Sequence, residues 1–136
     1  MLPKFTALFE GHRWLCLNRR VRYTERDLFD AQIAIARARL LAVALAPREE
    51  DEPAALLFAL LLEADALRGA RDAFPLFAVR SFVRSRGLDL VVDLPDRIAL
   101  RAIRARALAH RHALDELRTV FDDVRAFVAA RLRAGP

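Results

Sequence analysis

The sequence predicts an all-α protein: one compact bundle of about five helices, with a short hairpin or an irregular arm at its N-terminus. Three observations carry this. Hydrophobic residues make up 55% of the 136 residues and recur at helical spacing over most of the chain. Helix punctuation is regular: Pro47 closes one segment, Pro53 and Pro75 open others, and Gly69 and Gly87 close two more. Only one stretch, residues 88–95 (LDLVVDLP), has the character of a strand, and an extended connector packed on the helices fits it equally.

The elements follow in order. Residues 1–23 form the arm. Within it Trp14, Cys16, Val21 and Tyr23 alternate around Asn18-Arg19-Arg20, which suits a short hairpin, but the turn lacks Gly and an irregular arm serves as well. Residues 24–134 form the helical core. Thr24 and Asp27 make a capping-box-like pair, and the helix they open runs to about Ala46. Its apolar residues, among them Leu28, Phe29, Ile33, Ile35, Leu40 and Val43, go most of the way round, which predicts a largely buried helix. An acidic connector, PREEDE, leads to a helix from Pro53 to Arg68 that is apolar on every side until Glu63, the expected centre of the bundle. A third helix spans about Asp72 to Arg86, with Phe74, Phe77 and Phe82 as bulky core. Asp93 or Asp96 caps a fourth, about residues 96–111. The last, about 113–133, is amphipathic: Leu114, Leu117, Val120, Phe121, Val124, Val128 and Leu132 share one face, and Asp115, Arg118, Asp122 and Arg125 the other. No repeat or composition shift divides residues 1–136, so a single domain is expected.

Composition removes several function classes. One cysteine, Cys16, excludes a disulfide scaffold and a cysteine-based zinc site. Four glycines leave little for a phosphate-binding loop. The longest apolar run, Ala54–Leu62, falls far short of the ~20 residues that span a bilayer. The first residues lack the pattern of a secretory signal, so the expected location is the cytoplasm, without membrane contact.

The charge is the one feature with functional content. The net charge is +5, and all but one of the 23 basic residues are Arg, the exception being Lys4. Arg with abundant Ala, Leu, Asp and Val is also what GC-rich, bacterial-type coding produces, so the pI near 10.8 is weaker evidence than it looks. Its distribution is more telling: residues 1–24 and 95–136 each carry net +4, and residues 25–52 carry −3. Arg97, Arg101, Arg104 and Arg111 fall within about 80° of one another on a helix. Four guanidinium groups in a row match successive phosphates, and Arg19, Arg20 and Arg22 are expected to join them on one surface. The alternative is a solvated face whose arginines pair with Asp115, Asp122 or Asp123 of the last helix. Arg106 points the other way, into the apolar side, where Glu63 or Asp65 could partner it.

Other constellations point to chemistry less directly. Glu63, Asp65, Asp72, Asp93 and Asp96 flank helix ends and could hold Mg²⁺ or act as an acid–base pair, but helix capping explains Asp72 and Asp96. His112 and Glu116 have ligand spacing with no third ligand nearby, while His110 and His112 point about 200° apart on a helix. His12 lies four residues before Cys16, the spacing of a base and a nucleophile on one helix face. Trp14 among Arg13, Arg19, Arg20 and Arg22 suits single-stranded nucleic acid, although a core role competes.

The segment order from 21 to 108 resembles the HD-domain phosphohydrolases. Val21-Arg22-Tyr23-Thr24 is similar to the Arg-x-Tyr-Ser/Thr lead-in to that family's first His, and Ala59-Leu60-Leu61-Leu62-Glu63-Ala64 to its Ala-Leu-Leu-His-Asp-Ala segment. Gly69, Asp72 and Pro75 resemble the turn that follows, and Asp96-Arg97-Ile98-Ala99-Leu100 the stretch around its last Asp. The family holds its metal with a His, a His-Asp pair and a distal Asp. Here those places are Leu28, Leu62-Glu63 and Asp96, so the resemblance implies a relative without the metal. Tyr23-Thr24, the apolar helix at 54–67 and Phe82 to Gly87 also resemble the Fic/Doc proteins, whose loop transfers a nucleotide or phosphate. The corresponding stretch, residues 67–74, has no His, Asn or Lys.

These readings converge on a non-catalytic helical module that engages an acidic partner through Arg19, Arg20, Arg22, Arg97, Arg101, Arg104 and Arg111. Nucleic acid is the first choice and an acidic protein surface the second, with no cofactor and no metal. The alternatives are a divergent HD-type hydrolase using Glu63, Asp65 and Asp96, and a subunit, homo-oligomeric or otherwise, of a helical assembly.

Overall fold

A helix without a polar face has to be enclosed on every side, and the fold is arranged around one. A computed structural model describes residues 1–68, 70 and 73–135, which form six α-helices and a two-stranded antiparallel sheet. The enclosed helix is α3, Glu52–Leu62, and every one of its residues is buried. Around it stand α2 (Glu25–Leu45), α4 (Phe74–Arg84), α5 (Leu94–Ala109) and α6 (Leu114–Arg131). Helix α1 (Phe5–Asn18) packs on α2 and α4. Strands β1 (Leu88–Leu90) and β2 (Leu132–Ala134) pair Leu88 with Ala134 and Leu90 with Leu132, closing the chain on itself. No helix among the described residues is long and apolar enough to cross a membrane.

The all-α class holds, and the local signals hold with it. Thr24 caps α2: its hydroxyl accepts from the Asp27 amide at 3.2 Å, while its own amide donates to the Asp27 carboxylate at 2.9 Å. Asp93 and Asp96 form the same reciprocal box ahead of α5. Pro53, Pro75 and Pro95 each sit in the first turn of a helix, where a missing N–H costs nothing. Gly87, at φ +76°, reverses the chain into β1, a conformation that other residues rarely adopt. Residues 88–90 are a strand, and residues 91–93 continue as connector.

Three expectations need correction. Residues 1–23 contain neither a hairpin nor an irregular arm but a fourteen-residue helix, α1. The alternation of Trp14, Cys16, Val21 and Tyr23 straddles its C-terminus. On a helix positions 14 and 16 point about 200° apart, so Cys16 is buried and Trp14 exposed. The signal that serves α1 is instead Leu8, His12 and Cys16, four residues apart and all buried. Second, α2 is not largely buried. Its inner face is Ala31, Ala34, Ile35, Ala38 and Ala42, and Phe29, Ile33, Leu40 and Val43 face solvent. Small residues let α2 lie close against α3, which brings Ala54, Ala55 and Ala59 of its own. Third, the central helix ends at Leu62 and not at Arg68; a short 3₁₀ turn, Ala64–Ala66, follows. Gly69 as its stop and Asp72 as the start of the next helix lie outside the described residues.

The amphipathic reading of α6 is sound. Leu117, Val120, Phe121, Val124 and Val128 are buried, and Phe121 stacks on Phe58 of α3 with ring centroids 5.7 Å apart. Leu114, at the first turn, is exposed. Truncating Phe121 to Ala should cost about 3–5 kcal/mol, because it opens a cavity against the central helix; chemical denaturation of both proteins measures this. A Cβ on Gly135 would stand 2.8 Å from the Gly87 carbonyl oxygen, which already accepts from the Gly135 amide. Gly135→Ala should therefore spread β1 from the residue after β2 and cost about 1–3 kcal/mol, read as a lowered denaturation midpoint with an unchanged slope.

Candidate polyanion groove

Helix α5 sets the geometry of the arginine stripe. Its packed side runs through Leu100 and Ala107, with Ile103, Arg104 and Leu108 half-buried. The stripe is therefore not on the outermost face: Arg104 lies on the inner side, and Arg97 and Arg101 lie exposed along its edge. Arg104 donates from Nε to the Leu61 carbonyl oxygen at 3.0 Å, satisfying an acceptor at the open end of α3. Its Nη2 lies 2.8 Å from the Asp65 carboxylate, without the alignment of a hydrogen bond. Arg111, beyond the end of α5, reaches Glu63 at 3.9 Å.

The partners expected for these arginines and for Arg106 are thus exchanged. Arg104 and Arg111 meet Asp65 and Glu63 at the end of α3, not the acids of α6. Arg106 is exposed and pairs with Asp123. The two-residue shift from 104 to 106 turns a side chain by about 200°, enough to swap the two roles.

Arg97, Arg101 and Arg104 line one side of a groove of about 450 Å³, and Arg19 lines the other. Its floor is Leu61, Pro75, Leu76 and Leu100. Arg19 is there because α1 ends at Asn18, and its backbone N–H donates to the Leu15 carbonyl oxygen at 3.1 Å while the side chain stays exposed. The side chains of Arg19, Arg97 and Arg101 have no ion pair or hydrogen bond among the described residues, unlike Arg104. Of the seven arginines predicted as a group, the groove gathers these four. Arg20 and Arg22 are exposed on the connector from α1 to α2, outside its lining, and Arg111 is occupied by Glu63. Trp14 does not contribute, because it stacks on Phe77 at 5.6 Å, over a different groove between α1 and α4.

The acidic residues are committed elsewhere. Besides Glu63 and Asp65, Asp93 and Asp96 cap α5, and Asp96 also binds Arg131 at 2.7 Å, which holds its carboxyl below the usual range. Glu63 and Asp96 serve opposite ends of α5, a helix about 24 Å long at 1.5 Å per residue. Leu62 is buried and Leu28 half-buried, and no group of three His, Cys, Asp or Glu among the described residues could hold a metal ion. Asp72 lies outside the described residues. His110, not His112, pairs with Glu116.

His12 and Cys16 do meet, with Nε2 3.6 Å from Sγ, but inside the protein. Tyr23 Oη lies 3.3 Å from His12 Nδ1, and the Cys16 thiol donates to the Arg68 carbonyl at 3.6 Å. One assignment satisfies the whole chain: the phenol donates to Nδ1, Nε2–H to sulfur, and the thiol to the carbonyl. Burial pushes the thiol up, Tyr23 up to about 12, and His12 below its ordinary value near 6.5. A thiol raised by burial is the reverse of an activated nucleophile. The cluster ties α1, the following connector and the end of the α3 region together.

No known family model, curated protein or solved structure matches this chain.

Because His12 is held neutral, the unfolded chain binds a proton more readily than the folded one. Its contribution to stability is present above about pH 6.5 and is lost as pH falls toward the lower folded value. Melting temperatures measured across this window should fall, and the fall should flatten in His12→Gln. A profile identical in both proteins would place the titration elsewhere.

Proposed function

We propose that the protein is a non-catalytic cytoplasmic module that binds the phosphate backbone of nucleic acid in the groove between the end of α1 and α5. The observation that carries this reading is the convergence of Arg19, Arg97, Arg101 and Arg104 from distant parts of the chain on one concave surface, three of them without a carboxylate partner among the described residues. Unpaired guanidinium groups cost free energy through mutual repulsion, and a polyanion relieves it. The apolar floor adds a surface for sugars or bases beneath the phosphates. Phosphate contacts fix position without reading sequence, so binding should show little base preference. An acidic protein surface is the second occupant with matching charge.

The non-catalytic part rests on how the reactive groups are used. Glu63, Asp65 and Asp96, which a divergent HD-type hydrolase would need, are each engaged by an arginine, and Cys16 is buried with a raised pKa.

The test is fluorescence anisotropy with labelled single-stranded and duplex oligonucleotides across a salt series beginning at about 50 mM. The wild type should bind both, with log K falling linearly in log salt. The pair Arg97→Glu and Arg101→Glu should weaken binding and lower the slope by ~0.9 per lost phosphate contact on duplex and ~0.7 on single strands. The melting temperature should stay nearly unchanged, because both side chains are exposed. Arg118→Glu, on the outer face of α6, should bind nearly as the wild type does. No binding at the lowest salt, or an equal loss in Arg118→Glu, would overturn the proposal.

A further inference from the structure

We infer that α2 is a self-association surface that pairs antiparallel with the α2 of a second copy of this chain. The observation is an inversion. A surface helix of a monomer turns its large apolar side chains inward, and α2 turns several of them outward. Four of its five buried residues are alanines. Four of its large apolar side chains point to solvent: Phe29 is 59% exposed, Ile33 38%, Leu40 72% and Val43 56%. With Ala36, also exposed, they sit at 29, 33, 36, 40 and 43. That alternation of four and three is the seam of a two-stranded coiled coil, sustained over two heptads. Contiguous apolar surface of this kind marks an interaction site.

The occupant follows from size and charge along the seam. In an antiparallel pair related by a two-fold axis level with Ala34 and Ile35, Phe29 of one copy layers on Leu40 of the other and Ile33 on Ala36. Each bulky residue meets its complement twice, as an isologous interface requires. Val43 falls against the aliphatic stem of Arg26, an exposed residue able to cover it. The same register places Asp30, beside Phe29, opposite Arg37 of the second copy, again twice by symmetry. Arg37 is exposed and has no partner among the described residues; Asp30 holds only the exposed i,i+4 partner Arg26. In the parallel pairing Arg37 would face Gln32, and no ion pair would form. Charge therefore selects the antiparallel copy over the parallel one. The surface is separate from the arginine groove, and either assignment stands if the other fails.

The experiment is sedimentation equilibrium of the full chain from low micromolar to millimolar concentration. The wild type should associate to a dimer. Leu40→Glu should abolish association without lowering the melting temperature of the dilute protein, since residue 40 makes no core contact. Arg37→Asp should weaken the dimer by roughly five- to thirty-fold, the loss of two exposed pairs with added repulsion. Adding Asp30→Arg to Arg37→Asp should restore it, because the exchanged charges meet again only in the antiparallel arrangement. A wild type monomeric throughout, or a dimer unaffected by Leu40→Glu, would overturn the surface. A dimer weakened by Leu40→Glu but indifferent to the charge exchange would overturn the antiparallel pairing with its register.

Discussion

The structure depends on keeping water away from α3. Eleven consecutive residues without an exposed side chain cannot lie on a surface, so four helices must stand around them. Proximity then dictates composition. On the α2 side both helices contribute small residues, Ala31, Ala34, Ala38 and Ala42 from α2 and Ala54, Ala55 and Ala59 from α3, and small side chains let two helices lie close together. On the α6 side the contact is made by stacked Phe58 and Phe121. The outward face of α2 is a consequence of the inward one. With the inner positions given mostly to alanine, Phe29, Ile33, Leu40 and Val43 are left outside.

Around that core the arginines act as clamps more than as a uniform positive coat. Arg86 reaches Glu52 and lies over Phe82, Arg125 bridges α6 to Asp51 beside α3, and Arg131 ties Asp96 to the end of α6 while covering Phe127. Arg80 and Arg84 hold Asp89 of β1 from α4, and the Arg80 hydrogen bond lowers its carboxyl to about 2. Planar guanidinium groups suit this work because one head can satisfy a carboxylate and a carbonyl while its stem packs on a ring. A strongly basic composition is thus partly architectural. What distinguishes Arg19, Arg97 and Arg101 is that the same chemistry is gathered in one place without an ion-pair partner among the described residues.

Much of the fold was legible because its signals are local. Thr24 with Asp27, Asp93 with Asp96, the helices opened by Pro53 and Pro75, and the turn at Gly87 are decided within a few residues. The i, i+3, i+4 pattern of α6 is nearly as short-ranged. The failures share a different cause. The apolar residues of α2 surround it, and nothing within the helix says that alanines win the inner face; the width of the gap beside α3 decides that. Trp14 and Cys16 mimic alternation with Val21 and Tyr23 because a helix ending at Asn18 runs straight into the connector after it. Arg97, Arg101 and Arg104 of the stripe lie on α5 and Arg111 beyond its end, and the orientation of the stripe depends on which side of α5 carries Leu100 and Ala107. The meeting of Arg19 with the stripe followed from nothing more than charge at both chain ends. The burial of His12 and Cys16, by contrast, left no trace in the sequence beyond their four-residue spacing.

The enclosure of α3 also bears on how the protein is made. A ribosome delivers α3 roughly fifty residues before the start of α6, the helix that carries Phe121. At ~5–20 residues per second, the wait is on the order of 3–10 s. At the start of that interval a nascent helix with no polar side has only α2 beside it; α4 and α5 follow, and the surface that α6 covers stays open to the end. The alanine seam is therefore the first shelter available, formed by neighbours in sequence and closed before the rest exists. A substitution that widens this seam would act twice, on the finished protein and on the growing one, where exposed apolar surface invites chaperones, proteases and other unfinished chains.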